Sequence, residues 1–263
     1  MIERAAAFEF VRAATNGRTG PLIMMCENQA GENVELFCKF SAGCEQGVIH
    51  LAREVIAVCL AADLGLPVPK PYIVDIPPDL APIIADQSAR SLITRSETVA
   101  FGSTIQRQFG AWKTGNAVSN ALLPTAAATF VFDSIIQNPD RLVGNPNCLV
   151  KGEEVRLIDH DLAFSHLLVL AWRAPWVLGG LQNLKDPNHR HIFFDGLVKR
   201  EIDFVQITSS WQALRDDRLQ EYANAIPTAW AGAFADVNAA VRLICDARDN
   251  IEACIAEVRR VLA

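Results

Sequence analysis

The chain lacks every mark of a disulfide scaffold. No CxxC pair occurs, and the seven cysteines (Cys26, Cys38, Cys44, Cys59, Cys148, Cys245 and Cys254) are odd in number and irregularly spaced. Set among apolar neighbours, as in LFCKF and VRLICDA, they read as reduced core residues of a cytoplasmic protein. No apolar stretch is long enough to cross a bilayer unbroken: ALLPTAAATFVF (121–132) is too short, and LLVLAWRAPWVLGGL (167–181) is interrupted by Arg173 and Pro175. The start, MIERAAAFEFVRAAT, scatters charges where a cleaved signal would need an apolar core. Basic excess is missing too. With 24 Lys and Arg against 30 Asp and Glu the net charge is −6, which argues against a duplex nucleic-acid binder and does not favour an anionic membrane surface. Internal repeats, low-complexity tracts and long linkers are absent. What remains is an ordinary globular balance, 51% hydrophobic and 21% charged in 263 residues, enough for one domain or two closely packed ones.

The first hundred residues read as strands with one helix. PLIMMCE (21–27) and VELFCKF (34–40) form a hairpin around the turn QAGEN, preceded by a second turn, NGRTG (16–20). VIHLAREVIAVCLAADLG (48–65) has helical spacing at Leu51, Val55, Val58 and Ala62, with Gly65 as its cap. The proline-rich LPVPKPYIVDIPPDLAP is extended and contains a strand at YIVD. TVAFGST (98–104) ends in a Gly-Ser turn and marks the seam with a mainly helical back half. There, residues 120–137 form a buried helix, NCLV and EVRLID a tight hairpin around KGE, and 235–262 one or two amphipathic helices.

Two polar pieces interrupt the back half: NPDRLVGN (138–145) and LIDHDLAF (157–164). Phosphoryl transfer needs a group to orient the attacking hydroxyl, oxygen ligands for a divalent ion and a cation on the phosphates. In protein kinases the catalytic-loop Asp precedes a metal-binding Asn by five residues, the spacing of Asp140 and Asn145. Asp159 leaves an apolar strand one hairpin later, where a second hard oxygen ligand belongs. Lys39 ends a strand, and Glu54 lies fifteen residues on in the following helix, the order of a kinase Lys–Glu pair. The alternative for NPDR is a self-solvating turn. For Glu54 it is a pair with Arg53 or His50, and for Lys39 an edge-strand guard. Spacing sets the amide ligand at Asn145, with Asn147 as the alternative and more readily a structural residue.

NPDRLVGNPNCLV and LIDHDLAF resemble the catalytic and metal-binding segments of the HipA-like kinases, and also the DRxxxN and IDxGLAF motifs of type II phosphatidylinositol 4-kinases. GRTGPL, the Lys39 strand, LAREVIAVCLAADLGLPVP and AFGST agree with the HipA-like pattern, over roughly residues 14 to 165. Asp161 stands where the family motif has glycine. The resemblance implies an α+β, two-lobed protein-kinase-like fold. It has a small antiparallel-sheet N-lobe with one helix (1–100), a hinge (101–104) and a larger, mainly helical C-lobe (105–263), with ATP between the lobes. By position it makes Asp140 the catalytic Asp, Asn145 and Asp159 the Mg²⁺ ligands, and Lys39, held by Glu54, the phosphate-binding Lys. It lays Gly17, Arg18, Thr19 and Gly20 over the phosphates and sets Ala100, Phe101 and Gly102 beside the adenine. The implied activity is ATP- and Mg²⁺-dependent transfer to a Ser or Thr of a protein substrate, with an antitoxin-like or regulatory protein as a further partner.

Three other readings compete. A lipid kinase shares the DRxxxN and LAF pattern, and a nucleotide-binding pseudokinase acting through partners is motivated by Asp161 and the short glycine loop. A His/Asp metallohydrolase is suggested by DHD (159–161) and HRH (189–191), although His189 and His191, in DPNHRH, are expected at the surface. Ser165 beside His166 is no triad signal. Trp172 and Trp176, one helical turn apart or nearly so, are expected to line a substrate-side pocket.

Overall fold

The structure is a computed structural model that describes residues 2–15, 17–113 and 115–263. Met1 and Asn16, the first residues of two stretches read above, lie outside them. In chain order the elements are β1 (Glu3–Ala13), β2 (Leu22–Asn28), β3 (Asn33–Lys39), α1 (Val48–Asp63), β4 (Pro71–Asp75), α2 (Leu80–Ile83), α3 (Gln87–Thr94) and β5 (Val99–Thr104). There follow β6 (Gly110–Ala111), α4 (Leu123–Ile135), β7 (Cys148–Lys151), β8 (Glu154–Leu157), α5 (Phe194–Leu197), α6 (Val205–Gln212), α7 (Asp216–Asn224), α8 (Phe234–Asp249) and α9 (Ile251–Leu262). The fold is mixed α and β, and the chain divides into two compact units. One comprises residues 1–59, 69–107 and 221–238; the other comprises 60–68, 108–220 and 239–263. The division departs from a simple cut at 101–104, because 60–68 and 221–238 each join the unit made mostly by the other half of the chain.

The first unit is built on five strands closed in the order β1-β2-β3-β5-β4. Side chains alternate in and out with period two. Thus Ala5 and Ala7, Leu22, Met24 and Cys26, Leu36 and Cys38, Tyr72 and Val74, and Ala100 all point into one core. Gly102 continues that inward row. A Cβ there would lie 2.6 Å from Val74 Cγ2, so the barrel packs too closely for any side chain. The expectation of an antiparallel sheet with one helix is corrected in two respects. β1 closes the barrel by pairing in parallel with β4, Glu3 opposite Tyr72 through Ala6 opposite Asp75. Helices α2 and α3 also belong to this unit: α2 begins inside the proline-rich segment read as extended, and α3 follows it, capped by Asp86, whose side chain accepts from Ala89 N at 2.9 Å. The Gly-Ser turn at the end of 98–104 is corrected as well: the segment is β5, a strand paired with β3 on one side and β4 on the other.

Residues 221–238 are tied to this unit by buried polar contacts. Trp230 Nε1 donates to Val99 O at 3.1 Å, and Arg53 Nη2 to Asp236 Oδ1 at 2.7 Å.

The second unit is mainly helical. α4 is buried on every side from Ala126 to Ile135 apart from Ala128, the all-round burial that its apolar sequence implies. Pro124 sits in its first turn, where no amide hydrogen is needed. The hairpin β7–β8 turns at Gly152 (φ 61°), and β6 adds a short third strand. Gly65 (φ 74°) ends the run from α1 as read, with Leu66 N returning to Ala61 O at 2.8 Å. All seven cysteines are free thiols, six of them buried. Among the described residues no helix is long and apolar enough to cross a membrane.

Candidate active site

In the first unit, Lys39 and Glu54 meet as a buried ion pair. Nζ lies 2.7 Å from Oε2, and the two residues are 5% and 2% exposed. The strand's alternation explains the direction. Cys38 faces the barrel core, so Lys39 faces the opposite side, where α1 carries Glu54. Glu54's helix neighbours do other things: Arg53 is taken by Asp236, and His50 is buried, with its pKa lowered by that burial and by the Arg53 charge. Lys39 is no edge-strand guard either, because β3 is paired on both sides.

Gly17 (φ 122°) and Gly20 (φ 60°) both take left-handed backbone, which suits glycine. They shape the connection between β1 and β2, which closes with Ala14 N on Pro21 O at 2.9 Å. Arg18 is exposed and Thr19 half-buried, its carbonyl packed directly over Gly43. Ala100, Phe101 and Gly102 lie inside β5: Phe101 and Gly102 have ladder partners on both β3 and β4, and Ala100 is paired with Val74 of β4.

In the second unit, Asp140 is half-buried and two amides converge on it. Asn145 Nδ2 donates to Asp140 Oδ2 at 2.8 Å and Asn147 Nδ2 to the same oxygen at 3.0 Å. Asn145 is exposed; Asn147 is buried, with left-handed backbone (φ 42°). The loop is pinned from below. Asn138 Oδ1 accepts from Asp140 N at 3.2 Å, while Asn138 Nδ2 donates to Asp133 Oδ1 at 2.7 Å. Arg141, fully buried, donates from Nε to Asp133 Oδ2 at 2.6 Å and from Nη1 to the carbonyls of Asn147 and Ile158. His191 Nε2 reaches the same Asp133 oxygen at 3.0 Å.

Burial alone would push the Asp133 carboxyl up, but the Arg141 charge and then the His191 hydrogen bond outweigh it and hold it well below the usual range. Burial lowers the His191 pKa, against the pull of Asp133. Phe193 N donates to His191 Nδ1 at 3.2 Å, so the proton of the neutral ring sits on Nε2 and points at Asp133. The expectation of a surface His191 is thus corrected: it is 5% exposed and bound to a buried carboxylate, whereas His189 does lie at the surface, paired with Asp186.

Asp133 escaped the sequence reading. A lone acid inside the apolar run TFVFDSII was the available signal, since a charge there has to find a partner.

Asp159 follows β8 with left-handed backbone (φ 59°), a conformation Asp tolerates better than most residues. One carboxylate oxygen of Asp159 and one of Asp161 lie within 4.8 Å of each other. Asp161, which stands in place of the family's glycine, is not among the positive-φ residues, so the turn does not demand glycine at that position. Paired carboxylates with an exposed amide are hard oxygen donors of the kind Mg²⁺ takes.

The histidines do not support a metallohydrolase. His160 is buried edge-on to Phe132, and among the described residues no histidine joins a cluster of potential metal ligands. Trp172 and Trp176 meet edge to face, 6.5 Å apart, in a segment without α-helix, and Trp172 Nε1 donates to Gln137 Oε1 at 3.0 Å. A cavity of about 210 Å³ in this unit is lined by Leu64, Pro124, Ala128 and Trp211 among others, and by neither of those tryptophans.

The family description "HipA-like kinase" matches residues 7–257, almost the entire chain. The chain belongs to the HipA-like kinase family. Among solved structures, this chain is similar in fold to CtkA, a proinflammatory kinase of Helicobacter pylori. The two are 11% identical, the match covers 99% of this chain and 100% of that one, and the TM-score is 0.52. A chain in the Neurospora crassa complex of PAN2 (WD40-CS1) with PAN3 (pseudokinase and C-term) overlaps 98% of this chain and 66% of its own at 10% identity. Its TM-score of 0.27 is too low to bear on the fold. No curated protein matches.

Proposed function

We propose that this HipA-like kinase is an active phosphotransferase that uses ATP and Mg²⁺ and delivers the phosphoryl group to a Ser or Thr hydroxyl of a protein. The observation that carries the reading is the held carboxylate of Asp140: two amides fix its orientation in a loop whose other side is anchored in the core. A carboxylate so held is suited to orient an acceptor hydroxyl and take its proton, which is most of what a protein contributes to phosphoryl transfer. Asn145 is the better candidate for the amide ligand, because it is open to solvent while Asn147 is buried and carries a carbonyl bound to Arg141. Asp159 and Asp161 supply the carboxylates, so the acid in place of glycine adds to the donor set. Held by these residues, Mg²⁺ would neutralise charge on the phosphates. Lys39 contributes a cation whose position Glu54 fixes. The Gly17–Gly20 connection, with its exposed Arg18, is the phosphate-covering loop in this reading. Protein acceptors and a regulatory protein partner are proposed on family grounds.

The test pairs binding with turnover. The protein is melted with ATP, with Mg²⁺ and with both, and ADP release is measured on the same samples with a protein acceptor mixture and with phosphoinositide vesicles. The reading expects ATP with Mg²⁺ to raise the melting temperature and ADP to form with protein acceptors. A raised melting temperature with no ADP would mark a nucleotide-binding pseudokinase, and product confined to the vesicles would mark a lipid kinase; either result contradicts the proposal.

A further inference from the structure

Phosphoryl transfer chemistry gives Asp133 no direct task, yet the polar groups of the loop converge on it. Its Oδ1 is linked through Asn138 to the backbone amide of Asp140. Its Oδ2 is linked through Arg141 to the carbonyl of Asn147, whose side chain grips Asp140, and to the carbonyl of Ile158, the residue before Asp159. One carboxylate on a rigid, buried helix thus reaches the backbone beside Asp140 and Asp159 through a single intermediary each. His191 closes the arrangement from a distant part of the chain, its protonated Nε2 on Asp133 and its backbone bridged to Leu142.

We propose that Asp133 is a positioning residue: acting through Asn138 and Arg141, and held by His191, it fixes the 138–147 loop so that the Asp140 carboxylate faces its acceptor. The catalytic role of Asp140 rests on the reading given above; the anchoring of the loop does not. A short polar loop with glycine at position 144 has many conformations to choose from, and misplacing a reacting group by about 1 Å costs roughly 100-fold in rate. A single anchor that fixes both the Asp140 backbone and the Asn147 carbonyl removes that freedom.

The experiment uses Asn138→Ala, which cuts the link to Asp140 while sparing the buried ion pair, together with Asp133→Asn and His191→Gln. Amide hydrogen exchange across 138–147 is measured first, then phosphate transfer from labelled ATP to a protein acceptor mixture and the affinity for ATP with Mg²⁺. Asn138→Ala is expected to speed exchange at Asp140, Leu142 and Asn145 and to lower the transfer rate roughly 10- to 100-fold, with ATP affinity and the remaining exchange pattern unchanged. His191→Gln keeps a donor for Asp133 and should retain most of the rate. If Asp133→Asn fails to fold, Asn138→Ala decides alone. Unchanged loop exchange in folded Asn138→Ala overturns the proposal, and so does faster exchange with an unchanged transfer rate. Faster exchange in the variants of a wild type that transfers no phosphate would sink the reading of the site while upholding Asp133 as the loop's anchor.

Discussion

Two buried ion pairs, one in each unit, follow different designs. Lys39–Glu54 joins a strand to the helix that follows it and lies on the outer side of the barrel. Asp133–Arg141 is a hub: the carboxylate also accepts from Asn138 and His191, and the guanidinium also serves two carbonyls. The first pair holds one ammonium at a set point. The second holds a whole loop. Removing charges from water costs several kcal/mol per ion, and direct attraction recovers that only with good geometry and further hydrogen bonds. The hub's further bonds run to the carbonyls of Asn147 and Ile158, so its charges serve backbone geometry.

The largest expected effect separates chemistry from both pairs. Asp140→Asn should lower phosphate transfer about 10²- to 10⁴-fold with an unchanged melting temperature, because it removes the proton acceptor and keeps the shape. A steady-state assay beside a melting curve checks this.

Next come the pairs themselves. Lys39→Met removes one side of a buried ion pair and should cost about 3–5 kcal/mol in urea unfolding. Adding Glu54→Leu should leave transfer lost. The same treatment of the hub, Asp133→Leu with Arg141→Met, should not restore stability, since Asn138, His191 and the carbonyls of Asn147 and Ile158 would be left without their partners. Wild-type stability in the hub's double variant would overturn the role given to the hub.

Acid should find the hub. His191 has a pKa below its ordinary 6.5 in the folded protein, so on acidification the unfolded chain takes up the proton first and stability falls once pH drops below about 6.5. Asp133 is depressed below its ordinary 3.8, so its contribution is present above that value and lost as pH falls further. Both act in the same direction. Urea midpoints between pH 7.5 and 5 should fall more for wild type than for His191→Gln. The smallest effect belongs to the exposed Arg4–Asp75 pair across the β1–β4 closure: Arg4→Ala should cost less than about 1 kcal/mol, measured the same way.

The same contrast explains what could be read from the sequence. That Lys39 meets Glu54 and Asn145 meets Asp140 was legible because the chemistry behind the reading fixes residue types, order and local spacing. β2, β3, α1, α4 and the β7–β8 hairpin were legible because their burial patterns are local. β1 was missed because its inward residues are the alanines Ala5 and Ala7, a weak strand signal, and because its parallel pairing with β4 spans about seventy residues. Gly102 looked like a turn because a glycine forced by close barrel packing cannot be told from a flexible one by sequence alone. His191 was assigned to the surface from its polar neighbours. Its partner Asp133 lies 58 residues away, and no local pattern joins them. Residues 221–238 join the barrel unit through Trp230 and Asp236, single contacts that spacing does not record.

The central claim is tested most directly by incubating the wild type and Asp140→Asn with γ-labelled ATP, Mg²⁺ and a protein acceptor mixture, and following the label. The account predicts label on protein Ser or Thr with the wild type and almost none with the variant. Equal labelling by the two proteins, or none by either, would contradict it.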